Sequence, residues 1–88
     1  MDERNLHGGH RERLKERLNA FPESLSDHEL LETLMFYSIP RKDTNAIAHA
    51  LLNSFGSLKK TFLASGKELT FIDGVGDNTA TLFALVRE

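Results

Sequence analysis

The chain has 88 residues, of which 40% are hydrophobic and 27% are charged, and it contains no cysteine. This length supports one domain with a single core, and the absence of cysteine excludes disulfide bonds and thiolate metal sites. The net charge of −2 argues against a strongly basic nucleic-acid binder, and without an apolar run of about 20 residues we expect no membrane contact and a cytoplasmic protein.

The sequence predicts an all-α fold, a compact bundle of five or six short helices. Apolar residues recur at helical spacing, and no segment alternates with the period of a β-strand. A first helix is expected from about His10 to Ala20, with Leu14, Leu18 and Phe21 forming a narrow apolar stripe. Its basic residues, Arg11, Arg13, Lys15 and Arg17, alternate with glutamates, which favours a solvated face with ion pairs over an auxiliary binding patch.

Capping residues mark the next two helices. Ser26 and Glu29 have the spacing of a capping box, which starts a helix expected over about Asp27–Tyr37. This helix is so apolar that we expect it, Tyr37 included, to be the most buried. Asp43 offers an N-cap oxygen for a third helix, and Gly56 is suited to end it.

The second half of the chain has a similar order. Residues 58–63 are expected to form a short connector that begins after Ser57. Ser65 and Glu68 form a second capping-box pair, starting a short helix through Phe71. Residues 74–76, Gly-Val-Gly, then turn the chain into a last helix, for which Asp77 is the expected N-cap.

The chain also resembles itself at a shift of 34 residues. The shift aligns Asp43 with Asp77, Met35 with Leu69, Tyr37 with Phe71, and Leu51 with Leu85. Such similarity predicts two helix-turn-helix units related by a pseudo-twofold axis. The two turns differ in chemistry, because glycines in the second stand where the first has Pro40 and Lys42.

The Gly-Val-Gly turn allows two interpretations. In the first, Gly74 and Gly76 simply connect two helices. In the second, the turn binds a phosphate group, because glycine lets another molecule approach the backbone and the amides that open a helix favour anions. The predicted nucleic-acid contacts in this turn are Gly74, Val75, Gly76, Asp77, Asn78 and Thr79, with the Thr79 hydroxyl as an added donor.

The acidic residues Asp73 and Asp77 oppose a phosphate at this turn. A carboxylate roughly 5 to 6 Å from a phosphate costs somewhat under about 1 kcal/mol in near-aqueous surroundings, comparable to what one or two amide donors contribute. Arg41 and Lys42 in the first turn could supply the missing positive charge if the two turns are adjacent. Alternatively, these two residues are solvated or have a capping role that includes an ion pair with Asp43.

Several segments resemble known proteins. Residues 69–80, LTFIDGVGDNTA, resemble a helix-hairpin-helix DNA-binding motif. The segments GHRERLKERL, DHELLETLMFYSIPRKDTNAIAHALLNSFGSL and GVGDNTATLFALVRE resemble, in that order, the N-terminal domain of the RadC family of bacterial proteins, over residues 9–88. The resemblance implies two helix-hairpin-helix-like units and a role in DNA repair. In longer members, a JAB/MPN-like domain follows.

We therefore expect residues 1–88 to form a single domain of a longer protein, with residues 1–9 flexible. The expected function is binding of the DNA backbone without sequence specificity, at branched or single-stranded-junction DNA, with the JAB/MPN-like domain as a further partner. The alternative is a domain that docks onto a protein or onto the rest of its own chain. We expect no enzymatic activity and no metal site, since His7 and His10 lack a third ligand. The helix-hairpin-helix resemblance leaves room for a monovalent cation at the carbonyl groups of residues 72–76.

Overall fold

The computed structural model describes residues 3–88, with side chains from Gly9 onward, and in this range the chain is all-helical. Its helices are α1 (Glu3–Ala20), α2 (Asp27–Met35), α3 (Thr44–Phe55), α4 (Leu58–Leu63), α5 (Gly66–Thr70) and α6 (Asp77–Arg87). A 3₁₀ turn, Pro22–Ser24, follows α1. The predicted all-α class is confirmed. None of these described helices is long and apolar enough to cross a bilayer.

Helix α1 begins earlier than the sequence indicates. It starts at Glu3 rather than near His10, because interior glycines such as Gly9 disfavour a helix by only about 1 kcal/mol each. The expected flexibility of residues 1–9 falls partly outside the described residues and stays a prediction. The apolar stripe is buried only at Leu14, whereas Phe21 is 63% exposed in the turn where the chain leaves α1.

The predicted caps are confirmed at three helix starts. Capping boxes open α2 at Ser26 and α5 at Ser65, and the Asp43 carboxylate accepts the Asn45 amide at the start of α3, at 2.9 Å. Gly56 ends α3 with a φ of 92°. The predicted connector at residues 58–63 is wrong, because the Ser57 hydroxyl accepts the Lys60 amide at 3.1 Å and caps α4 there.

Helix α2 is two residues shorter than predicted. It ends at Met35, and the Ile39 amide donates to the Met35 carbonyl oxygen at 2.7 Å to form a turn. Pro40 disfavours helical geometry at Ile39, so the chain leaves the helix before that point. Tyr37 lies in this turn and is 73% exposed, so its predicted place in the core is wrong.

A single hydrophobic core joins both halves of the chain. Helix α2 packs mainly on α3, and α5 packs on α6. The fully buried apolar side chains are Leu31 and Met35 of α2, Ala48 and Leu51 of α3, Leu69 of α5 and Phe83 of α6. The rings of Phe62 and Phe83, with centroids 5.0 Å apart, bring α4 into the same core.

The internal repeat is matched only in part. Met35 and Leu69 are both buried at the ends of α2 and α5, as the shift of 34 residues implies. The pairing of Leu51 with Leu85 is wrong, because Leu51 is fully buried and Leu85 is 72% exposed. The turn at residues 36–43 is longer than the turn at 71–76, so no single shift aligns the helices on both sides of it.

Arg17 of α1 anchors the start of α2. Its guanidinium group donates to Glu29 Oε2 and to the Ser24 carbonyl oxygen, both at 2.9 Å. The hydrogen bond from Arg17, followed by that from the Ser26 amide, lowers the pKa of Glu29 from 4.5 to about 2. The ion-paired role predicted for the basic face of α1 is confirmed at Arg17, and also at Lys15, which pairs with Glu12 at 3.1 Å.

Glu29→Gln should destabilise the domain by about 1 to 2 kcal/mol at pH 7, because it removes the ionic part of the Arg17 contact while glutamine still completes the capping box. Since the pKa of Glu29 is lowered on folding, this stabilisation is complete above pH 4.5 and is lost as the pH falls through about 2. Urea unfolding of both proteins between pH 7 and 2 measures the difference, with Glu12→Gln as the exposed control. A difference that stays constant over this range would contradict the assignment.

Candidate nucleic-acid interface

The two turns, whose adjacency the sequence leaves open, meet at an open cleft of about 640 Å³. The first turn contributes residues 38–42 to its lining, and the second turn together with the start of α6 contributes residues 74–79. All eight residues predicted from the sequence to contact nucleic acid line this one cleft: Gly74, Val75, Gly76, Asp77, Asn78, Thr79, Arg41 and Lys42. The backbone of the second turn therefore faces the basic pair of the first.

A partly buried hydrogen bond joins the first turn to the start of α6. Ser38 Oγ and Thr79 Oγ1 lie 2.8 Å apart, and Thr79 is only 2% exposed. The phosphate contact predicted for the Thr79 hydroxyl would have to compete with this bond. The contact spans 41 residues of sequence, and no local pattern indicates it.

Gly74 is required by the fold. Its φ is 93°, a left-handed conformation that side chains with a Cβ rarely adopt. A Cβ at this position would lie 2.7 Å from Ile47 Cδ1, so α3 also packs directly against the glycine. Backbone geometry and packing together account for Gly74 without any ligand.

Neither packing nor backbone geometry accounts for Gly76. Its φ is −105°, which any residue adopts, and an added Cβ would meet no atom within 4 Å. Glycine does suit the N-cap position of α6, which Gly76 occupies. It also leaves an unobstructed backbone in the lining of the cleft, where another molecule can approach closely.

Helix α6 begins without a side-chain cap. Gly76 is its N-cap and Asp77 its first residue, so the N-cap role predicted for Asp77 is wrong. The Ala80 amide donates to the Gly76 carbonyl oxygen at 3.1 Å and closes the first helical turn, which places Asp77 one residue too far along to act as the cap. The amides of residues 77–79 therefore have no carbonyl partner within the helix, and the helix dipole favours an anion beside them.

The charges at the cleft partly balance. Arg41 and Lys42 are exposed on one side, and Asp77 is exposed on the other. Within residues 9–88 no ion pair joins either basic residue to Asp43, whereas the exposure of both side chains agrees with the solvated form of the predicted alternative. The Asp43 carboxylate accepts the Asn45 amide instead. Among the side chains that the structure describes, no acidic partner pairs with Arg41 or Lys42, so both can meet an anionic ligand.

Arg11 holds the first turn in place, a role that the sequence did not indicate. Its Nη2 atom donates to the carbonyl oxygens of Ile39 and Lys42, each at 2.9 Å, and its guanidinium group lies 4.4 Å from the centre of the Phe36 ring. We expected Arg11 on a solvated face, and it lies instead between α1 and the turn. These contacts span 28 and 31 residues, so no local spacing rule could find them.

The neighbouring residue His10 strengthens this anchor. His10 Nε2 lies 2.7 Å from Glu32 Oε1, and Glu32 is almost fully buried. The other Glu32 oxygen accepts a hydrogen bond from Asn45 Nδ2 at 3.2 Å. Helices α1, α2 and α3 are therefore tied together directly behind the turn that presents Arg41 and Lys42.

Metal ligands are not gathered in the described part of the chain, where no three His, Asp or Glu side chains form a group that could hold a metal ion. His28 and His49 stack with ring centroids 4.4 Å apart, and the side chain of His7 lies outside the described residues.

At the second turn, the carbonyl oxygens of Ile72 and Gly76 already accept amide hydrogens. A monovalent cation there would depend chiefly on the carbonyl groups of residues 73–75.

The sequence model of the family described as UPF0758 N-terminal matches residues 8–81, which include both turns. The chain belongs to the UPF0758 family. This UPF0758 domain is 47% identical over 81 residues to the UPF0758 protein FN0909 of Fusobacterium nucleatum subsp. nucleatum, a match that covers 91% of the chain and 35% of that protein. It is 40% identical over 73 residues to the UPF0758 protein SPO0054 of Ruegeria pomeroyi, covering 82% of the chain and 33% of the relative.

These matches confirm the resemblance to a RadC-type N-terminal domain. The UPF0758 domain spans about a third of the length of the curated relatives it matches. No solved structure matches it. The family assignment therefore identifies the domain, and its function has to be inferred from the cleft.

Proposed function

We propose that the domain binds the sugar-phosphate backbone of DNA without sequence specificity, in the cleft between the two turns. The observation that carries this proposal is Gly76, an unobstructed glycine at the uncapped start of α6, opposite Arg41 and Lys42. Backbone amides and flexible basic side chains are suited to phosphate oxygens, which are the same at every nucleotide. The ligand is thus recognised by its backbone and shape.

The expected affinity is low. Each amide donor contributes about 0.5 to 1.5 kcal/mol net, and Asp77 opposes this by somewhat under about 1 kcal/mol. Arg41 and Lys42 make the net free energy of binding favourable, because each can form an ion pair with a phosphate. Non-specific DNA binding of this kind has dissociation constants of about 10⁻⁴ to 10⁻⁶ M at physiological salt.

Such a weak site suits a targeting role. We propose that the domain brings the rest of a longer protein, including a JAB/MPN-like domain, to branched or single-stranded-junction DNA in the cytoplasm. In this proposal the domain itself has no enzymatic activity and needs no cofactor. A monovalent cation at residues 73–75 would assist the amides by adding positive charge beside the phosphate.

Fluorescence anisotropy with labelled three-way-junction, single-stranded and duplex DNA tests the proposal. We expect binding at about 50 mM salt and its loss as salt rises, with log K falling against log salt with a slope of about −1 to −2, as one or two phosphate contacts require. Absence of binding at about 50 mM salt would refute it. Binding that is insensitive to salt would exclude the cleft chemistry described here.

A second function, docking onto another protein or onto the rest of the chain, is favoured by apolar side chains at the surface. Leu63, Phe71 and Leu85 are each more than half exposed, at the end of α4, after α5 and on α6. Large exposed apolar groups are common at protein interfaces. A folded domain that binds none of the three DNAs would favour this second function.

A further inference from the structure

Tyr37 is 73% exposed in the turn that borders the cleft, and it does not belong to the hydrophobic core. It directly precedes Ser38, which lines the cleft and is bonded to Thr79. Because consecutive Cα atoms are about 3.8 Å apart, the Cα atom of Tyr37 lies within about 4 Å of the Cα atom of Ser38. We infer that Tyr37 provides a stacking surface for an unpaired base of the strand whose phosphate lies in the cleft. This inference rests on the proposed function and names the form of DNA that the site prefers.

The backbone that carries Tyr37 is held on both sides. On one side, Phe36 is buried beneath the Arg11 guanidinium group. On the other, Ser38 is hydrogen-bonded across the cleft to Thr79. The Tyr37 amide donates to the Leu34 carbonyl oxygen at 3.2 Å. The ring is therefore presented from an ordered turn, which reduces the entropy lost when a ligand stacks on it.

Aromatic stacking complements the backbone contacts. An unpaired base stacked on an aromatic side chain contributes about 1 to 3 kcal/mol, and every base has a flat face that can stack. The contact is therefore tolerant of sequence, as the phosphate contacts are. Bases within an intact duplex are already stacked on their neighbours and cannot use Tyr37. The combined site should select single-stranded DNA and junctions with at least one unstacked base over a plain duplex.

The composition of the chain supplies a direct probe. Tyr37 is the only tyrosine and there is no tryptophan, so the intrinsic fluorescence of the protein reports on this ring alone. At about 50 mM salt, oligothymidine and a three-way junction should quench the tyrosine emission, after correction for DNA absorbance. A duplex of the same length should quench it much less.

Anisotropy measurements on variants give the DNA affinities that correspond to these quenching results. Tyr37→Ala should weaken binding to oligothymidine and to the junction about tenfold, and duplex binding by less than about twofold. Tyr37→Phe should retain the affinity. Phe21→Ala is the matched control, because Phe21 is also exposed and lies ten residues beyond Arg11, or about 15 Å further along the axis of α1.

The results distinguish binding of the DNA backbone in the cleft from base stacking on Tyr37. If no DNA binds, both the proposed function and this inference fail. If DNA binds but the tyrosine emission is unchanged and Tyr37→Ala retains its affinity, the stacking role fails and backbone binding stands. If Tyr37→Ala disturbs the fold, the quenching of the unaltered protein still decides the question.

Discussion

Gly74→Ala should destabilise the domain by about 2 to 4 kcal/mol, whereas Gly76→Ala should change the free energy of unfolding by less than about 1 kcal/mol. At Gly74 the left-handed backbone costs a residue with a Cβ about 1 to 2 kcal/mol, and the contact with Ile47 adds about 1 to 2 kcal/mol of overpacking, because the Cδ1 end of that side chain can shift. At Gly76, alanine is a poorer N-cap, but it also lowers the entropy of the unfolded chain. Urea unfolding followed by circular dichroism measures both values.

Substitutions of Gly74 and Gly76 also distinguish an effect on stability from an effect on DNA binding. Gly76→Glu should leave the helix content intact and weaken DNA binding, because its carboxylate would project from an open position into the cleft. Equal destabilisation by the two alanine substitutions would show that Gly76 is a structural residue. A fully stable Gly74→Ala protein would contradict the geometry of the turn.

Reversing both charges with Arg41→Glu and Lys42→Glu should lower DNA affinity at least about 30-fold at low salt. Two attractive pairs with phosphates become repulsive, each changing the interaction by about 1 kcal/mol or more near a protein surface. The slope of log K against log salt should become less negative by about 1 to 2. Anisotropy measures both quantities, and the fold should be unaffected because both side chains are exposed.

Lys59→Glu with Lys60→Glu is the matched control for this prediction. These adjacent lysines are exposed on α4, and the substitution changes the net charge of the chain by the same amount. The control should reduce affinity only slightly. If both double variants weaken binding equally, the attraction comes from overall charge and the cleft is not the site. If neither does, Arg41 and Lys42 do not contact DNA.

Local chemistry accounts for the parts of the fold that could be predicted. A cap depends on residues two or three positions apart, so Ser26, Asp43 and Ser65 mark real helix starts. The same rule applied to Ser57 marks the start of α4, so the connector predicted at residues 58–63 ignores a cap that the sequence contains. The predicted burial of Tyr37 is wrong because α2 ends at Met35, ahead of Pro40, and the helical spacing does not continue to Tyr37.

The sequence predicted residues that lie at the candidate site. It did not predict the contacts that hold these residues in place. The self-similarity of the chain brought the pair at Arg41 and Lys42 together with residues 74–79, and the cleft contains all of them. The anchoring role of Arg11 and the bond between Ser38 and Thr79 were missed. Each of these contacts joins segments that are far apart in sequence, so their partners become neighbours only when the helices pack.

The sequence by itself determined the helical class, three of the predicted helix starts, and eight of the eleven residues that line the cleft. These follow from spacing and side-chain chemistry within a few residues, or from repetition along the chain. Only the tertiary structure distinguished Gly74 from Gly76, which look equivalent in the sequence. Ile47 of α3 packs against the first, whereas within the described residues no atom beyond the chain neighbours lies within 4 Å of a Cβ built on the second. Packing, unlike local spacing, depends on which distant segment comes to lie beside each residue.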